Sequence, residues 1–250
     1  MAYRELRAEV PGAVAWSVTS GPPGDRPQQD EGALVLPDGC MDLIWHEGGL
    51  LVAGPDTRAH RTTAAGSRAI GLRFAPGVGP HVFGVRADEL RDVRVPLEQL
   101  WPDAVVRSLF HAAEPDPLRA ISAAARDRLD GVGRPVETAI AAQLARGVTV
   151  AQVAAGLGWS ERRLHRKSLS AYGYGPKTLA RVLRFERALR LARGGVPLAR
   201  VAADSGFSDQ AHLAREVRAL AGTSLTGLLG QPGRAANSSM PWPSGSLTTA

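Results

Sequence analysis

The hydrophobic pattern divides the chain into a strand-like front part and a helical back part. Apolar residues alternate along Ala13–Thr19 and again at Ile70, Leu72 and Phe74, which is the period of a half-buried β-strand. Shorter apolar runs lie between Pro- and Gly-rich turn sequences, at residues 33–36, 43–45 and 50–53. Many short strands with tight turns predict a β-rich, barrel-like domain over residues 1–85.

From about residue 86 the apolar spacing becomes helical. Pro117 and Pro135 each suit the first turn of a helix, because proline lacks the amide hydrogen that this turn leaves unpaired. We expect a helical connector over residues 86–132 and an all-α domain over 133–231, so that the fold class is α+β. Residues 232–250 are rich in Pro, Gly, Ser and Thr and are predicted to be a disordered tail.

A helix-turn-helix pattern begins at Thr149, which can cap a short helix. Ala154 is small enough for two helices to touch there, and Gly158, four residues later, suits a turn that requires positive φ. Ser160 can cap the second helix, and Leu164 can anchor it to the first.

The same pattern returns 48 residues later. Ala202 and Gly206 repeat the small residue and the turn glycine, an aromatic residue again follows the glycine, and Ser208 or Asp209 can cap the next helix. Leu213 is the expected anchor. A helix over Lys177–Arg193 separates the two units, and we predict that it holds both on one face of the duplex, in successive major grooves.

The charge distribution supports a nucleic-acid module. Residues 150–231 contain 13 Lys and Arg against 5 Asp and Glu, whereas residues 1–149 contain 16 against 19. A basic back half joined to a slightly acidic front half is the electrostatic footprint of a DNA-binding domain attached to another domain.

Residues 149–230 resemble the DNA-binding domain of the AraC/XylS family of bacterial regulators. The resemblance lies in VAQVAAGLGWSERRLHR, LRFERALRLA and GFSDQAHLAREVR, and it departs where the family usually has an aromatic residue, at Ser168, and a proline, near Gly222 to Leu225. It implies base contacts from Arg162, His165, Arg166, Gln210, His212 and Arg215. We interpret Lys167, Lys177, Arg181 and Arg184 as phosphate contacts.

The same resemblance implies a cupin-like N-terminal barrel that senses a small molecule or mediates homodimer formation. The expected function is therefore a sequence-specific transcription regulator, an activator or a repressor. Its partners would be double-stranded promoter DNA and RNA polymerase, and a small-molecule effector. No apolar run approaches the roughly 20 residues of a membrane span and no signal-peptide core is present, so we expect a cytoplasmic protein.

Two alternatives are weaker. A small-molecule enzyme would need a convergent acid–base or metal set, but the histidines are scattered, and Asp38, Cys40, Asp42 and His46 are explained by a turn and a buried strand. A DNA-repair protein carrying a similar DNA-binding domain would need several cysteines, and Cys40 is alone. We expect no enzymatic activity, no cofactor and no metal.

Overall fold

The computed structural model describes residues 2–6, 8–19, 34–61 and 68–230. The predicted tail, 232–250, lies outside the described residues. The strands are β1 Ala2–Leu6, β2 Ala13–Thr19, β3 Leu34–Val35, β4 Met41–His46, β5 Gly49–Ala53, β6 His60–Arg61, β7 Arg68–Phe74 and β8 Arg94–Pro96. The helices are α1 Gly79–Phe83, α2 Asp103–Ala113, α3 Pro117–Leu129, α4 Val136–Ala145, α5 Val150–Gly156, α6 Glu161–Tyr172, α7 Pro176–Arg193, α8 Leu198–Asp204, α9 Gln210–Ala221 and α10 Leu225–Leu229, with 3-10 helices at Ala87–Leu90 and Leu97–Gln99.

Six strands form one antiparallel sheet in the order β1-β2-β7-β4-β5-β8, and β3 pairs with β6 in a separate two-stranded sheet. The expected α+β fold class, with a β-rich region followed by helices, is confirmed. Because side chains alternate across a strand, the sheet has an apolar inner face, which includes Ala15, Leu43 and Leu72 at adjacent register positions. Phe83, Ile121 and other residues of α1–α3 complete this core.

One element differs from the expectation that the pattern turns helical at residue 86. The segment after α1 contains a 3-10 helix, Ala87–Leu90, and then strand β8, which pairs with β5 at the edge of the sheet. Three residues are too few to show a strand period, so the sequence pattern could not reveal β8. The domain limits themselves stay predictions.

A second core joins α4 to α10 and contains the apolar faces of both helix-turn-helix units. Phe185 and Leu189 of α7 are fully buried in it. Leu34 of β3 and Leu36, which follows this strand, also pack on this core, so the N-terminal part of the chain contacts the C-terminal part directly. Helix α7 thus packs against both units, and it covers the helix predicted over Lys177–Arg193; its placement of the two units on the duplex stays a prediction.

Candidate DNA interface

The first helix-turn-helix unit consists of α5 and α6 and is built by local hydrogen bonds. Thr149 caps α5 in a capping box with Gln152, and Ser160 caps α6 by accepting a hydrogen bond from the Arg163 amide. Gly158 has φ 64°, the left-handed conformation that favours glycine. Leu164 is fully buried against the core. Each of these sequence-based expectations is confirmed.

The second unit, α8 and α9, repeats this turn. The Phe207 amide donates to the Ala202 carbonyl at 2.9 Å, as the Trp159 amide does to Ala154 at the same distance in the first unit. Gly206 has φ 78°. Of the two predicted caps, the structure selects Asp209, whose carboxylate accepts from the His212 amide at 2.6 Å.

The outward face of α6 is cationic. At 3.6 residues per turn, positions two before and two after the buried Leu164 lie on the opposite side of the helix. These positions are Arg162 and Arg166, and both are exposed. His165 is also exposed, at the side of the helix, where its ring lies against Gly175 so closely that a Cβ there would be 2.8 Å from Nε2.

The outward face of α9 has a different composition. The positions equivalent to Arg162, His165 and Arg166 are Ala211, Ala214 and Arg215, all exposed. Gln210 is exposed at the first position of the helix. Arg218 is exposed one turn after Arg215 on the same face, and sequence reasoning missed it, although its spacing of five from Leu213 was a usable signal.

His212 is held inside the second unit instead of pointing away from it. Its Nδ1 lies 3.1 Å from the Ser208 hydroxyl, and its ring packs edge-on against Phe207 with centroids 5.3 Å apart. This geometry favours a role in shaping the turn before α9. The predicted base contact from His212 is not tested by this geometry and stays a prediction.

The four predicted phosphate contacts differ in their surroundings. Lys167 pairs with the buried carboxylate of Glu137 at 2.6 Å, and Arg181 pairs with Glu216 at 2.5 Å. The guanidinium of Arg184 stacks 4.8 Å from the centre of the Phe207 ring. Lys177 is exposed at the start of α7 and makes no ion pair within the described part of the chain, and its phosphate contact stays a prediction.

Ser168 occupies the position where the resemblance led us to expect an aromatic residue. Its side chain is fully buried, and its hydroxyl has no hydrogen-bond partner among the described residues. A buried unsatisfied hydroxyl destabilises the folded state, so Ser168→Ala is expected to raise the free energy of unfolding by about 1 kcal/mol. Chemical denaturation measures this, with Ser170→Ala on the same helix as the control for helix propensity; an equal gain in both variants would contradict the prediction.

On the outer face of the N-terminal sheet, a cluster of polar side chains surrounds Arg73. Its guanidinium lies 3.2 Å from Asp38 and 3.4 Å from Asp42, and Trp16 donates to Asp42 at 2.6 Å. Burial, opposed by Arg73, raises the pKa of Asp42 to about 6. Arg73 is therefore paired with two acidic side chains.

Cys40 belongs to the same cluster. Burial and the nearby Asp38 raise the pKa of its thiol well above the ordinary value, although Arg73 opposes this. A neutral, enclosed thiol agrees with the structural role expected for this residue. His46 shares the outer face with Asp42 but accepts a hydrogen bond from the Gly48 amide.

Comparison with known families identifies the helical domain. Residues 153–231 match a family model described as a helix-turn-helix domain, and this match covers the paired units just described. The match agrees with the resemblance of this domain to the DNA-binding domain of the AraC/XylS family of transcription regulators. Residues 13–96 match a second family, described as a domain of unknown function (DUF6597), which spans the sheet from β2 to β8.

No curated protein matches the chain in sequence. Among solved structures, the chain is similar to a variant of ToxT from Vibrio cholerae strain SCE256, with 10% identity and a TM-score of 0.45 over 90% of this chain and 99% of that chain. ToxT from Vibrio cholerae O395 shows 9% identity and a TM-score of 0.43 over 92% and 97%. Unsaturated fatty acid bound wild-type ToxT shows 9% and 0.44 over 94% and 98%. All three likenesses are distant.

The described residues contain neither a membrane-spanning helix nor a cluster of metal-ligating side chains. No helix there combines the length and apolar character needed to cross a membrane. Nor do the described ranges bring three or more His, Cys, Asp or Glu side chains together in a way that could hold a metal ion.

Proposed function

We propose that this DNA-binding transcription regulator reads promoter DNA by placing α6 and α9 in successive major grooves. The observation that carries the proposal is the pair of capped helices whose buried anchors, Leu164 and Leu213, turn arginine-bearing faces outward. Helix α7 has 18 residues and is about 27 Å long at 1.5 Å per residue, which suits grooves about 34 Å apart.

We assign direct base reading to Arg162, Arg166, Gln210 and Arg215, with His165 beside them. Arginine makes bidentate hydrogen bonds to guanine O6 and N7, and glutamine does so to adenine N6 and N7. On α9, the small residues Ala211 and Ala214 allow close approach and apolar contact with thymine methyl groups. We therefore expect the α6 half-site to be richer in guanine than the α9 half-site.

The N-terminal domain is proposed to sense a small molecule or to mediate homodimer formation. The protein bound at the promoter would then recruit or block RNA polymerase. We propose no catalytic role for the Arg73 cluster, because its charged groups neutralise one another at hydrogen-bonding distance. The full chain can be screened for turnover of small-molecule substrates. An activity that is present in the unmodified chain and lost in Arg73→Ala would show that the cluster is catalytic.

Selection from a random pool of duplexes by the full chain tests the proposal. We expect enrichment of two short motifs whose centres lie about one helical turn apart. Affinity for the enriched duplex should fall steeply with salt concentration, because each neutralised phosphate releases counterions. Recovery of a single motif, or of sequences no different from the starting pool, would contradict the proposal.

A further inference from the structure

One loop of the N-terminal domain contacts the C-terminal end of both recognition helices. This loop, residues 54–59, connects β5 to β6, and we name it the bridge loop. Its Ala59 amide donates to the Leu220 carbonyl, in the last turn of α9, at 2.7 Å. Its Pro55 ring lies against Gly173, the residue that ends α6, so closely that a Cβ on Gly173 would be 2.6 Å from the ring.

A neighbouring segment strengthens the contact with α6. Arg91 donates to the Gly173 carbonyl at 3.3 Å, and a Cβ on Gly173 would also lie 3.1 Å from the Ala87 carbonyl oxygen. The end of α6 therefore fits between the bridge loop and the 3-10 helix Ala87–Leu90. A side chain at position 173 would not fit there, and Gly173 itself has φ 80°.

Several short hydrogen bonds to the segment before β8 and to β8 itself hold the bridge loop in one conformation. The Asp92 carboxylate accepts hydrogen bonds from the Thr57 amide at 2.7 Å and from the Thr57 hydroxyl at 2.9 Å. The Asp56 carboxylate, nearly buried, accepts two hydrogen bonds of 2.6 Å from Arg94. Asp92 also has φ 60°, an uncommon conformation for a residue other than glycine, which these bonds hold in place.

We infer that the bridge loop is a positioning element that sets the distance between the two recognition helices, and thereby the half-site spacing that the regulator accepts. Within the C-terminal domain, α6 and α9 each pack on α7. The bridge loop adds a second connection between their far ends, and it belongs to the other domain. This inference rests on the proposed function, since only a protein that reads two half-sites has a spacing to select.

The mechanical argument concerns one base pair of DNA. Adding or removing a base pair shifts one half-site by about 3.4 Å along the axis and rotates it about the duplex. A second, rigid connection makes the protein resist that adjustment. Without it, α7 and its packing alone oppose the change, and duplexes of altered spacing become better ligands relative to the selected one.

The test uses the full chain and three duplexes: the one enriched from the random pool, and the same duplex with one base pair added or removed between the motifs. For the unmodified chain we expect the altered duplexes to bind about 5- to 150-fold more weakly, the usual range for coupled sites. We call this fold-weakening the spacing ratio. It is expected to fall to about threefold or less in two variants, Ala59→Pro, which removes the donor to Leu220, and Arg91→Ala.

Arg86→Ala is the matched control, because Arg86 is an exposed arginine just before the same 3-10 helix, and its guanidinium binds Asp88. We expect its spacing ratio to equal that of the unmodified chain. Arg91→Ala removes only an exposed side chain, so it keeps the test decisive if Ala59→Pro fails to fold.

The outcomes separate the inference from the function on which it rests. If the unmodified chain selects no sequence, the proposed function fails. If it selects two motifs but binds all three spacings equally, or if Arg91→Ala and Ala59→Pro weaken all three duplexes by one factor, the function stands and the inference is overturned. Loss of spacing preference in the Arg91→Ala and Ala59→Pro variants, with preference kept in Arg86→Ala, supports it.

Discussion

Replacing Glu186 with glutamine is expected to raise the free energy of unfolding by a few kcal/mol near pH 9 and to change it little near pH 5, since each unit of pKa shift is worth about 1.4 kcal/mol. Burial, reinforced by the Asp38 carboxylate, raises the pKa of Glu186 to about 8, although Arg193 and Arg73 oppose the rise. Its Oε1 is enclosed and has no hydrogen-bond partner among the described residues.

The direction in which stability changes with pH follows from the number of protons that each state binds. Between the ordinary pKa of a glutamate and about 8, the unfolded chain has lost this proton while the folded chain still holds it. The folded state therefore binds more protons, and its stability falls as the pH rises through that window. Glutamine cannot ionise, so Glu186→Gln lacks this loss. Asp42, with a pKa of about 6, contributes in the same direction at lower pH, so the interval from pH 6 to 8 isolates Glu186.

Urea denaturation of both proteins at several pH values measures the difference. Glu47→Gln is the control, because it removes a carboxylate that is exposed in the turn between β4 and β5. We expect the stability difference between Glu186→Gln and the unmodified chain to grow steadily from pH 6 to pH 8. A constant difference across that range would show that Glu186 is already ionised in the folded protein.

Glu186 also shows where sequence reasoning ends. In the sequence, Glu186 stands at helical spacing with Leu179, Val182, Leu183 and Leu189, a pattern that predicts one mostly apolar helix face. The sequence therefore predicts the helix face on which Glu186 lies, but it does not predict the charged groups near it. Asp38 and Arg73 come from a turn and a strand more than 100 residues earlier. Contacts of that sequence separation depend on how the two domains pack, which no local pattern reports.

The helix-turn-helix units were predictable for the opposite reason. Caps, turn glycines and anchoring leucines act over three to eleven residues, so Thr149, Gly158 and Leu164 each leave a signature that can be read directly. The same holds for β2 and β7, whose seven-residue alternation is long enough to detect. Strand β8, at three residues, is not.

The assignment of charged side chains was less predictable than the fold. Lys167 was expected to contact phosphate, but it pairs with Glu137, thirty residues earlier. His212 was expected to read bases, but it is hydrogen-bonded to Ser208 within its own unit. Both roles stay predictions, because the direction of each side chain depends on a neighbour that the sequence pattern does not specify.

Arg166→Ala and Arg215→Ala are each expected to weaken binding to the selected duplex by about 1–3 kcal/mol, or roughly 5- to 150-fold. Each arginine lies two positions after a buried anchor, in the middle of its recognition helix, and each is exposed with no ion pair within the described part of the chain. Each variant should also relax the preference for its own base pairs, in two patches about one helical turn apart.

Lys177→Ala provides the contrast, because Lys177 is exposed at the start of α7, outside both recognition helices. It should weaken binding to selected and random duplexes by the same factor and lower the salt slope by about one unit. Competition titrations against single-base variants of the duplex, at two salt concentrations, distinguish the two behaviours.

The composition of the outward faces sharpens the expected difference between the two arginines. On α6, Arg162 lies one turn before Arg166 and can take over part of its contact, whereas the equivalent residue on α9 is Ala211. Arg215→Ala therefore removes the only cation from the centre of its described helix face, leaving Gln210 and Arg218 at the ends. We expect it to cause the larger loss of specificity. If both variants weaken all duplexes uniformly, these arginines are phosphate contacts, and if Arg215→Ala alone has no effect, α6 reads the sequence without α9.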